Sequence, residues 1–307
     1  MLRFQLKRLL KWLVCSPVAN WLIRLLRSPL KALLSEANVI RIPVVGEITA
    51  SVPGGSSFVM INDGDDRIAT RIYWLGLESY EDYSLSIFRS LAQRSRTLLD
   101  IGANSGVFAL TAVASNPDAT VFAFEPVPAI YACLKRNAER NDPSRLKVFH
   151  LALSDTDGEL PLYVPRGFQT FPLTSSVAAG FRDDCDIIAV PSARLSTFAS
   201  AQGMGGIDLI KLDTESTEHL VIRGGLTVIE RDLPIMICEV QPGESGTLLH
   251  RLLDPLGYKY FWITGKGLIP EEQIVGDPTL VDSNYLFVPE PRVTEILGIC
   301  WSVFPVK

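Results

Sequence analysis

The segment TLLDIGANSGVFALTAVAS, residues 97–115, is the most informative part of the sequence for the fold. Thr97–Ile101 is a short apolar run that predicts a buried strand, and Val107–Ser115 predicts a helix. The loop between them contains Gly102 and Gly106, which allow a tight turn and let the backbone approach a ligand closely. A strand, a glycine loop and a helix in this order indicate the first unit of a parallel α/β sheet.

The same alternation of strands and helices continues downstream. Strands are predicted over residues 120–124, 148–153, 208–212, 235–239, 259–264 and 285–288, and helices over 129–141, 219–230 and 247–256. The last two strands have no helix between them, so one of the pair is predicted to run antiparallel. Residues 154–207 are predicted to be irregular, and loops of that length usually carry function or cover a site.

Residues upstream of Thr97 predict a helical piece followed by a β-rich piece. Residues 2–14 show bases every four residues and leucines on the opposite face, which predicts an amphipathic helix. A second basic, apolar piece begins at Trp21 and is predicted to end near Pro29. Residues 38–76 are predicted to be β-rich and residues 80–95 helical. The chain is therefore divided into a basic helical extension (1–35), a β-rich and helical cap (36–94), an α/β domain (95–290) and a C-terminal tail (291–307).

Charge is distributed unevenly along the 307 residues, whose net charge is -5. Residues 1–35 contain no acid, and they contain these bases: Arg3, Lys7, Arg8, Lys11, Arg24, Arg27 and Lys31. The acidic remainder is a poor binder of phosphate backbones, which disfavours nucleic acid as a partner. Residues 2–27 are predicted to contact an anionic membrane surface. Packing of this extension on the body or on a second subunit stays open, and so does a homo-oligomer.

The five cysteines, at positions 15, 133, 185, 238 and 300, are an odd number and are widely separated. A disulfide framework and a zinc knuckle are therefore disfavoured. This cysteine usage favours a reducing cytoplasm, with the protein peripheral on the inner face of the membrane if its basic extension binds lipid. No segment reaches the roughly 20 apolar residues that are needed to span a bilayer.

The glycine loop favours a small anionic group over a dinucleotide. A dinucleotide fingerprint would place glycine at positions 102, 104 and 107, whereas Asn104 and Val107 occupy two of them. The start of the following helix offers free N–H groups to an anion, and a small anion, such as the carboxylate of an amino-acid-like ligand, suits the loop better. Asp100, at the end of the strand, could then accept a hydrogen bond from the ammonium group of the ligand.

A second carboxylate ends the next predicted strand. Glu125 follows the apolar run 120–124, and Pro126 ends the strand and fixes the turn. An acid at this position of a nucleotide-binding α/β fold can accept hydrogen bonds from both hydroxyls of a ribose.

These features together resemble a class I methyltransferase that uses S-adenosylmethionine, and more closely the FkbM family. The resemblance covers about residues 68–289, and its motifs are Tyr80-Glu81, Asp100–Gly106, Glu125-Pro126, Ala152–Asp155 before Gly158, Ile207–Asp213 and Glu239. It implies a Rossmann-like sheet, mostly parallel with an antiparallel last strand, preceded by the helical and β-rich extension. The α/β domain would then be a methyltransferase domain, with S-adenosyl-L-methionine as its cofactor.

The resemblance also implies which residues bind the cofactor. They are Glu81, Asp100, Gly102, Asn104, Gly106, Glu125, Pro126, Leu153 and Ser154, the last two beside the adenine. One departure is visible after the fourth strand of the domain, where many members have an acidic residue followed by glycine. Here the order is Asp213-Thr214-Glu215-Ser216, and the side chain of Ser216 could reshape that turn.

The predicted catalytic residues are Asp213, Glu239 and His219. Asp213 and Glu239 close neighbouring apolar strands at the carboxyl edge of the sheet, where ligands of such folds bind. Methyl transfer needs alignment of nucleophile, methyl and leaving sulfur, and a hydroxyl nucleophile also benefits from a base. Asp213 is the preferred base. His150 and His250 are predicted to be structural, and no metal site is assigned, although two carboxylates and a nearby histidine could hold a divalent ion.

The sequence therefore predicts an O-methyltransferase acting on a hydroxyl of a sugar, a polyketide or a similar small or glycan-like acceptor. Two alternatives stay open: an oxidoreductase with a dinucleotide cofactor, and a membrane-associated binding protein with a vestigial methyltransferase core.

Overall fold

The computed structural model describes residues 15–165, 175–177 and 184–304. Among these residues, the part that precedes Thr97 contains five α-helices and one β-hairpin. The elements are α1 (Pro17–Leu25), α2 (Arg27–Leu33), α3 (Glu36–Val39), β1 (Val45–Ser51), β2 (Ser57–Asp63), α4 (Arg67–Leu75) and α5 (Asp82–Ala92). The helix predicted over residues 2–14 lies outside the described residues.

Two predictions for this part are corrected by the structure. The second basic piece does not end near Pro29, because Pro29 lies in the first turn of α2, where a missing N–H costs no helical hydrogen bond. The β-rich prediction is confirmed for β1 and β2 but is wrong for α4. That helix begins because the Asp66 side chain accepts hydrogen bonds from the N–H groups of Ile68 (2.8 Å) and Ala69 (2.9 Å).

The central part follows the predicted alternation closely. It consists of β3 (Thr97–Ile101), α6 (Val107–Ser115), β4 (Thr120–Phe124), α7 (Pro128–Arg140) and β5 (Leu146–Phe149). The strand predicted over 148–153 is divided between β5 and a separate short strand, β6 (Ala152–Ser154). Part of the stretch predicted to be irregular contains β7 (Gly158–Pro165) and β8 (Cys185–Arg194), which pair antiparallel, and it is followed by α8 (Leu195–Ala201).

The remaining elements complete the sheet and its covering helices. They are β9 (Leu209–Leu212), α9 (Glu218–Asp232), β10 (Ile235–Glu239), α10 (Ser245–Leu253), β11 (Tyr258–Thr264), β12 (Gly267–Glu271), β13 (Asn284–Pro289) and α11 (Val293–Cys300). The strand β12 was not predicted. The predicted C-terminal tail contains α11, whose Ile296 and Cys300 join the same apolar cluster as Phe88 of α5.

The main sheet has eight strands in the order β12-β11-β13-β10-β9-β3-β4-β5. Neighbouring strands from β10 to β5 are parallel, whereas β13 is antiparallel to both β10 and β11. This confirms the predicted class I methyltransferase sheet, mostly parallel with an antiparallel last strand: β13 is the last strand in the sequence and lies between β11 and β10. The smaller sheet has the order β6-β8-β7.

The register of the parallel strands brings their carboxyl ends to one edge. Ile101 of β3 and Cys238 of β10 both lie opposite Leu212 of β9. The residues that follow these strands are therefore neighbours in space. None of the helices in the described ranges combines the length and apolarity required to cross a bilayer.

Candidate active site

A cleft of about 230 Å³ opens at the carboxyl ends of β3, β4, β9 and β10. Eight residues predicted from the sequence line it: Asp100, Gly102, Asn104, Glu125, Pro126, Leu153, Asp213 and Glu239. The other predicted residues, Glu81, Gly106, Ser154 and His219, are not part of its lining. The cleft is thus built by loops from both halves of the parallel sheet, as the positions of these residues in the sequence imply.

The loop after β3 bonds mainly to its own protein. The N–H groups of Gly102 and Ala103 donate to the carbonyl oxygen of Phe124 at 3.0 and 2.9 Å, and that of Gly106 donates to the carbonyl of Ala103 at 2.8 Å. The N–H of Asn104 donates to the Glu125 carboxylate. These four N–H groups of the loop are therefore used within the protein.

Gly102 is required by a contact inside the protein. Its φ is +81°, and a Cβ atom there would lie 1.7 Å from the carbonyl oxygen of Asp213. Gly106, with φ of +94°, has a similar constraint, because a Cβ would lie 2.6 Å from a methyl group of Leu134. The two glycines therefore allow the loop to pack against the end of β9 and against α7.

Glu125 is held rigidly in the wall of the cleft. Its Oε2 accepts a hydrogen bond from the N–H of Asn104 (3.0 Å) and its Oε1 accepts one from the N–H of Val127 (2.8 Å). Burial raises the pKa of Glu125 to about 7, while these two hydrogen bonds act in the opposite direction. Each carboxylate oxygen keeps a further lone pair, so the group can still accept hydrogen bonds from a ligand diol.

Asp100 caps the helix that follows the glycine loop. Its Oδ2 accepts a hydrogen bond from the N–H of Ala109, in the first turn of α6, at 2.9 Å. Burial raises the pKa of Asp100 to about 7, and the nearby Lys211 opposes that shift. One carboxylate oxygen thus has a structural role while the residue lines the cleft.

Lys211 is a residue of the site that the sequence reasoning missed. Its side chain is 2% exposed, and its Nζ lies 3.4 Å from Asp213 Oδ2 and 3.4 Å from Asn284 Oδ1. Its pKa is raised because the surrounding carboxylates, Asp213 and Glu81 first among them, outweigh the effect of burial. The signal was a charged residue in the otherwise apolar strand LIKL, since a buried charge is costly unless it is paired.

Three carboxylates meet at the ends of β9 and β10. Carboxylate oxygens of Asp213, Glu215 and Glu239 lie within 4.8 Å of one another, a spacing that could hold a divalent cation. Burial, together with the charge of Asp213, raises the pKa of Glu239 to about 10. Glu239 is therefore protonated at neutral pH and can donate a hydrogen bond, as expected when two acids lie close together.

The turn after Asp213 keeps a glycine-like backbone without glycine. Ser216 has a φ of +76°, and its hydroxyl donates to Oε1 of Gln241 at 3.0 Å. The turn is also held by the buried Glu218, whose Oε1 accepts hydrogen bonds from the N–H groups of Thr214 (2.9 Å) and Ser216 (3.2 Å). Glu218 was not among the predicted residues, although its place at the start of α9 suits such a cap.

A second cavity, of about 360 Å³, lies next to the cleft. Its lining consists of Glu81, Tyr83, Ser84, Glu239, Ile263, Val281, Asp282, Ser283 and Asn284. Glu239 lines both spaces. The predicted Tyr80-Glu81 pair is divided between them, because Tyr80 lines the cleft and Glu81 faces the second cavity, where it accepts a hydrogen bond from Asn284 at 3.2 Å.

The histidines are not brought to the carboxylates. His219 lines neither cavity, and burial lowers its pKa. His150 bonds through Nε2 to the carbonyl oxygen of Pro126 at 2.9 Å and stacks on Tyr131, so it supports the turn after β4. His250 packs against the ring of Tyr260. The structure gives no geometric support to His219 as a catalytic group.

The model of the family described as Methyltransferase FkbM domain matches residues 100–260. The chain is similar to the 31-O-demethyl-FK506 methyltransferase FkbM of Streptomyces tacrolimicus, with 25% identity over 57% of this chain and 75% of that protein. It is also similar to the 2-O-methyltransferase NoeI of Sinorhizobium fredii, with 30% identity over 42% of this chain and 56% of that protein.

Among solved structures, the chain is similar to a methyltransferase FkbM from Methylobacillus flagellatus. The TM-score is 0.43 and the identity 15%, with 75% of this chain and 56% of that chain covered. This chain thus spans little more than half the length of NoeI and of the solved structure.

Proposed function

The chain belongs to the FkbM methyltransferase family, and from that premise we propose that it transfers the methyl group of S-adenosylmethionine to a hydroxyl oxygen of a sugar, a polyketide or a similar glycan-like acceptor. The single observation that carries this proposal is that Glu239 lines both the cleft and the second cavity. A cofactor in the first space and an acceptor in the second would meet at this carboxyl group. The names of both relatives, a 31-O-demethyl-FK506 methyltransferase and a 2-O-methyltransferase, support oxygen as the methylated atom.

The residues of the cleft fit S-adenosylmethionine. Glu125 would accept the hydroxyls of its ribose, and the apolar side chains of Val127 and Leu153 would cover its adenine. The hydroxyl oxygen of Ser175, in the lining of the cleft, is buried and lacks a hydrogen-bond partner within the described part of the chain. Such a group suits a polar ligand, because an unpaired buried hydroxyl costs free energy. When bound, the cofactor supplies an electrophilic methyl group on a sulfonium ion.

The acids at the strand ends would handle the proton of the acceptor. Asp213 would take the proton of the hydroxyl as the base, held in place by the contact with Lys211. Glu239, protonated at neutral pH, would donate a hydrogen bond that orients the acceptor. One group of the pair would thus accept a proton, and the other would donate a hydrogen bond.

The second cavity supports a hydroxylated acceptor. Hydroxyl, amide and carboxyl groups of Ser84, Ser283, Asn284 and Glu81 line it. These groups can both donate and accept hydrogen bonds, which matches the surface of a sugar.

The proposal is tested on the Asp213→Asn variant with labelled S-adenosylmethionine and a panel of sugar and polyketide acceptors. We expect kcat to fall by about 10²–10⁴-fold, since a positioned base typically contributes that factor. Affinity for S-adenosylmethionine, measured by calorimetric titration, should change little. The Asp118→Asn variant changes an exposed acid just before β4, at the amino end of a strand whose carboxyl end meets the cleft, and serves as the matched control.

Three results would contradict parts of this proposal. Binding of NAD but not of S-adenosylmethionine by the wild-type protein would overturn the reaction. Near-normal kcat in the variant would overturn the base assignment. Loss of activity on chelation, restored by Mg²⁺, would reassign Asp213 and Glu239 to metal binding.

A further inference from the structure

The helix α1 presents its apolar side to solvent. Val18, Trp21, Leu22, Leu25 and Leu26 follow one another at helical spacing, and their exposed fractions lie between 42% and 70%. None of the residues of α1 is buried. A surface helix normally turns such a stripe toward the core, and contiguous apolar patches of this kind mark interaction sites.

The polar side of the same helix is bonded to the body of the protein. Asn20 exchanges two hydrogen bonds with the backbone of Val45, at 2.6 and 3.1 Å. Arg24 donates to the carbonyl oxygens of Val45 (2.7 Å) and Glu47 (3.0 Å). Just beyond it, Arg27, the first residue of α2, donates to the carbonyl of Tyr73 and lies over its ring, 4.7 Å from the centroid. Turning the apolar stripe inward would break all of these contacts.

The structure also shows that two bases of the extension are used in contacts within the protein. The sequence assigned Arg24 and Arg27 to an anionic surface, whereas the structure uses both to hold α1 and α2 on the hairpin and α4. Lys31 on α2 is exposed. In the sequence, residues 1–35 contain no acid, and residues 3–11 contribute four further bases.

We propose that α1 and α2 lie in the plane of an anionic lipid surface, with the stripe of Val18, Trp21, Leu22, Leu25 and Leu26 inserted among the acyl chains. A lipid surface supplies both an apolar interior and negative headgroups. A second copy of this chain, docked through the same face, would instead bring two acid-free basic segments together, which like-charge repulsion opposes.

The experiment measures co-flotation of the full chain with vesicles of phosphatidylcholine, alone or with phosphatidylglycerol. Trp21→Gln/Leu25→Gln removes two inserted side chains that are 61% and 63% exposed. The matched control is Trp301→Gln/Val275→Gln, whose side chains are 55% and 63% exposed elsewhere on the protein. We expect the wild type and the control to bind anionic vesicles, and the first variant to bind them about tenfold or more weakly, because burial of apolar surface drives insertion.

The other outcomes overturn the proposal. Wild-type protein that stays with the soluble fraction, or a Trp21→Gln/Leu25→Gln variant that floats like the wild type, would show that lipid does not cover this face. Equal binding to neutral and to anionic vesicles would overturn the claim that negative headgroups contribute to binding. A dimer that is lost in the same variant, without vesicle binding, would assign the face to a second copy. Methyl transfer to a soluble acceptor is independent of all these results.

Discussion

Lys211 is the side chain on which the charge state of the site depends most. It is the cation that lowers the pKa values of Asp100, Glu81 and Glu239 against the effect of burial. Without it, these acids and Asp213 would have no cation in direct contact among the residues that the structure describes. A buried charge cluster of this kind is costly to break, because the partner left behind is unpaired.

We predict that Lys211→Met moves the acid limb of the pH profile of kcat/KM to higher pH. The sign follows from the cation: without it, the pKa values of Asp100, Glu81 and Glu239 rise further, so the charge state of the site that supports turnover is reached only at higher pH. The shift should be about one unit or more, the effect of a neighbouring charge. Lys211→Arg keeps the charge and should keep the wild-type limb. A methionine variant with an unmoved limb would show that Lys211 has only a packing role.

Individual functional side chains were predicted well where they end a strand. Asp100, Glu125, Asp213 and Glu239 each follow or close an apolar run, and the structure places all four in the cleft lining. Their roles stay predictions. Lys211 was missed because it lies within a strand, where a sequence pattern shows an anomaly but not the partners that resolve it.

The turn between β9 and α9 has a left-handed backbone at Ser216, the position where many members of the FkbM family have glycine. Ser216 adopts a left-handed φ, which costs a non-glycine residue roughly 1–2 kcal/mol. Its hydroxyl recovers part of that free energy through the hydrogen bond to Gln241. The sequence could suggest that this turn is reshaped, but the compensating partner lies 25 residues away in the chain.

We predict that Ser216→Ala lowers the free energy of unfolding by about 1 kcal/mol, because it removes the hydrogen bond and keeps the strain. Ser216→Gly removes the hydrogen bond but also relieves the strain, so it should be the more stable of the two variants. Urea unfolding of both variants and the wild type measures the difference. An alanine variant at least as stable as the glycine variant would contradict the strained conformation.

Elements with regular local signals were predicted most accurately. The segment β3-α6-β4 matches its prediction residue for residue, because each element has a continuous apolar pattern and a clear turn. The error at α4 has a local cause, since the cap by Asp66 outweighs the β-like composition around it. The split between β5 and β6 could not be read from the sequence, because a strand that changes sheet keeps the same local pattern.

The protein as a whole carries several acids whose pKa values lie far above their ordinary values near 4. Asp100 and Glu125 reach about 7 through burial. The folded state then holds protons that the unfolded chain releases between about pH 4 and 7. By linkage, the free energy of unfolding is highest near the lower end of this window and falls as the pH rises to 7. Burial does not dominate at Asp142 and Asp277, whose pKa values are lowered to about 2 by hydrogen bonds, so these two acids affect the free energy of unfolding only below this pH window.

We predict that Glu125→Gln weakens this pH dependence. The variant has no carboxyl group to ionise at that position, so its free energy of unfolding should fall less than that of the wild type between pH 4.5 and 7. Chemical unfolding at several pH values in this interval provides the measurement. Glu159→Gln, at an exposed position of β7, should keep the wild-type slope. Identical slopes for all three proteins would show that Glu125 does not hold a proton in this range.

The contact between Gly102 and the carbonyl oxygen of Asp213 also limits how this enzyme can diverge. The two turns touch backbone to backbone, so any residue with a Cβ at position 102 displaces the acid at the end of β9. A lineage that changes its acceptor therefore cannot do so by remodelling this junction. If the acceptor binds as we propose, the freedom lies in the wall of the second cavity, where Tyr83, Ile263 and Val281 contribute side chains from three separate segments. Selection for a new acceptor, in nature or in a directed-evolution library, should accumulate its substitutions there and leave position 102 untouched.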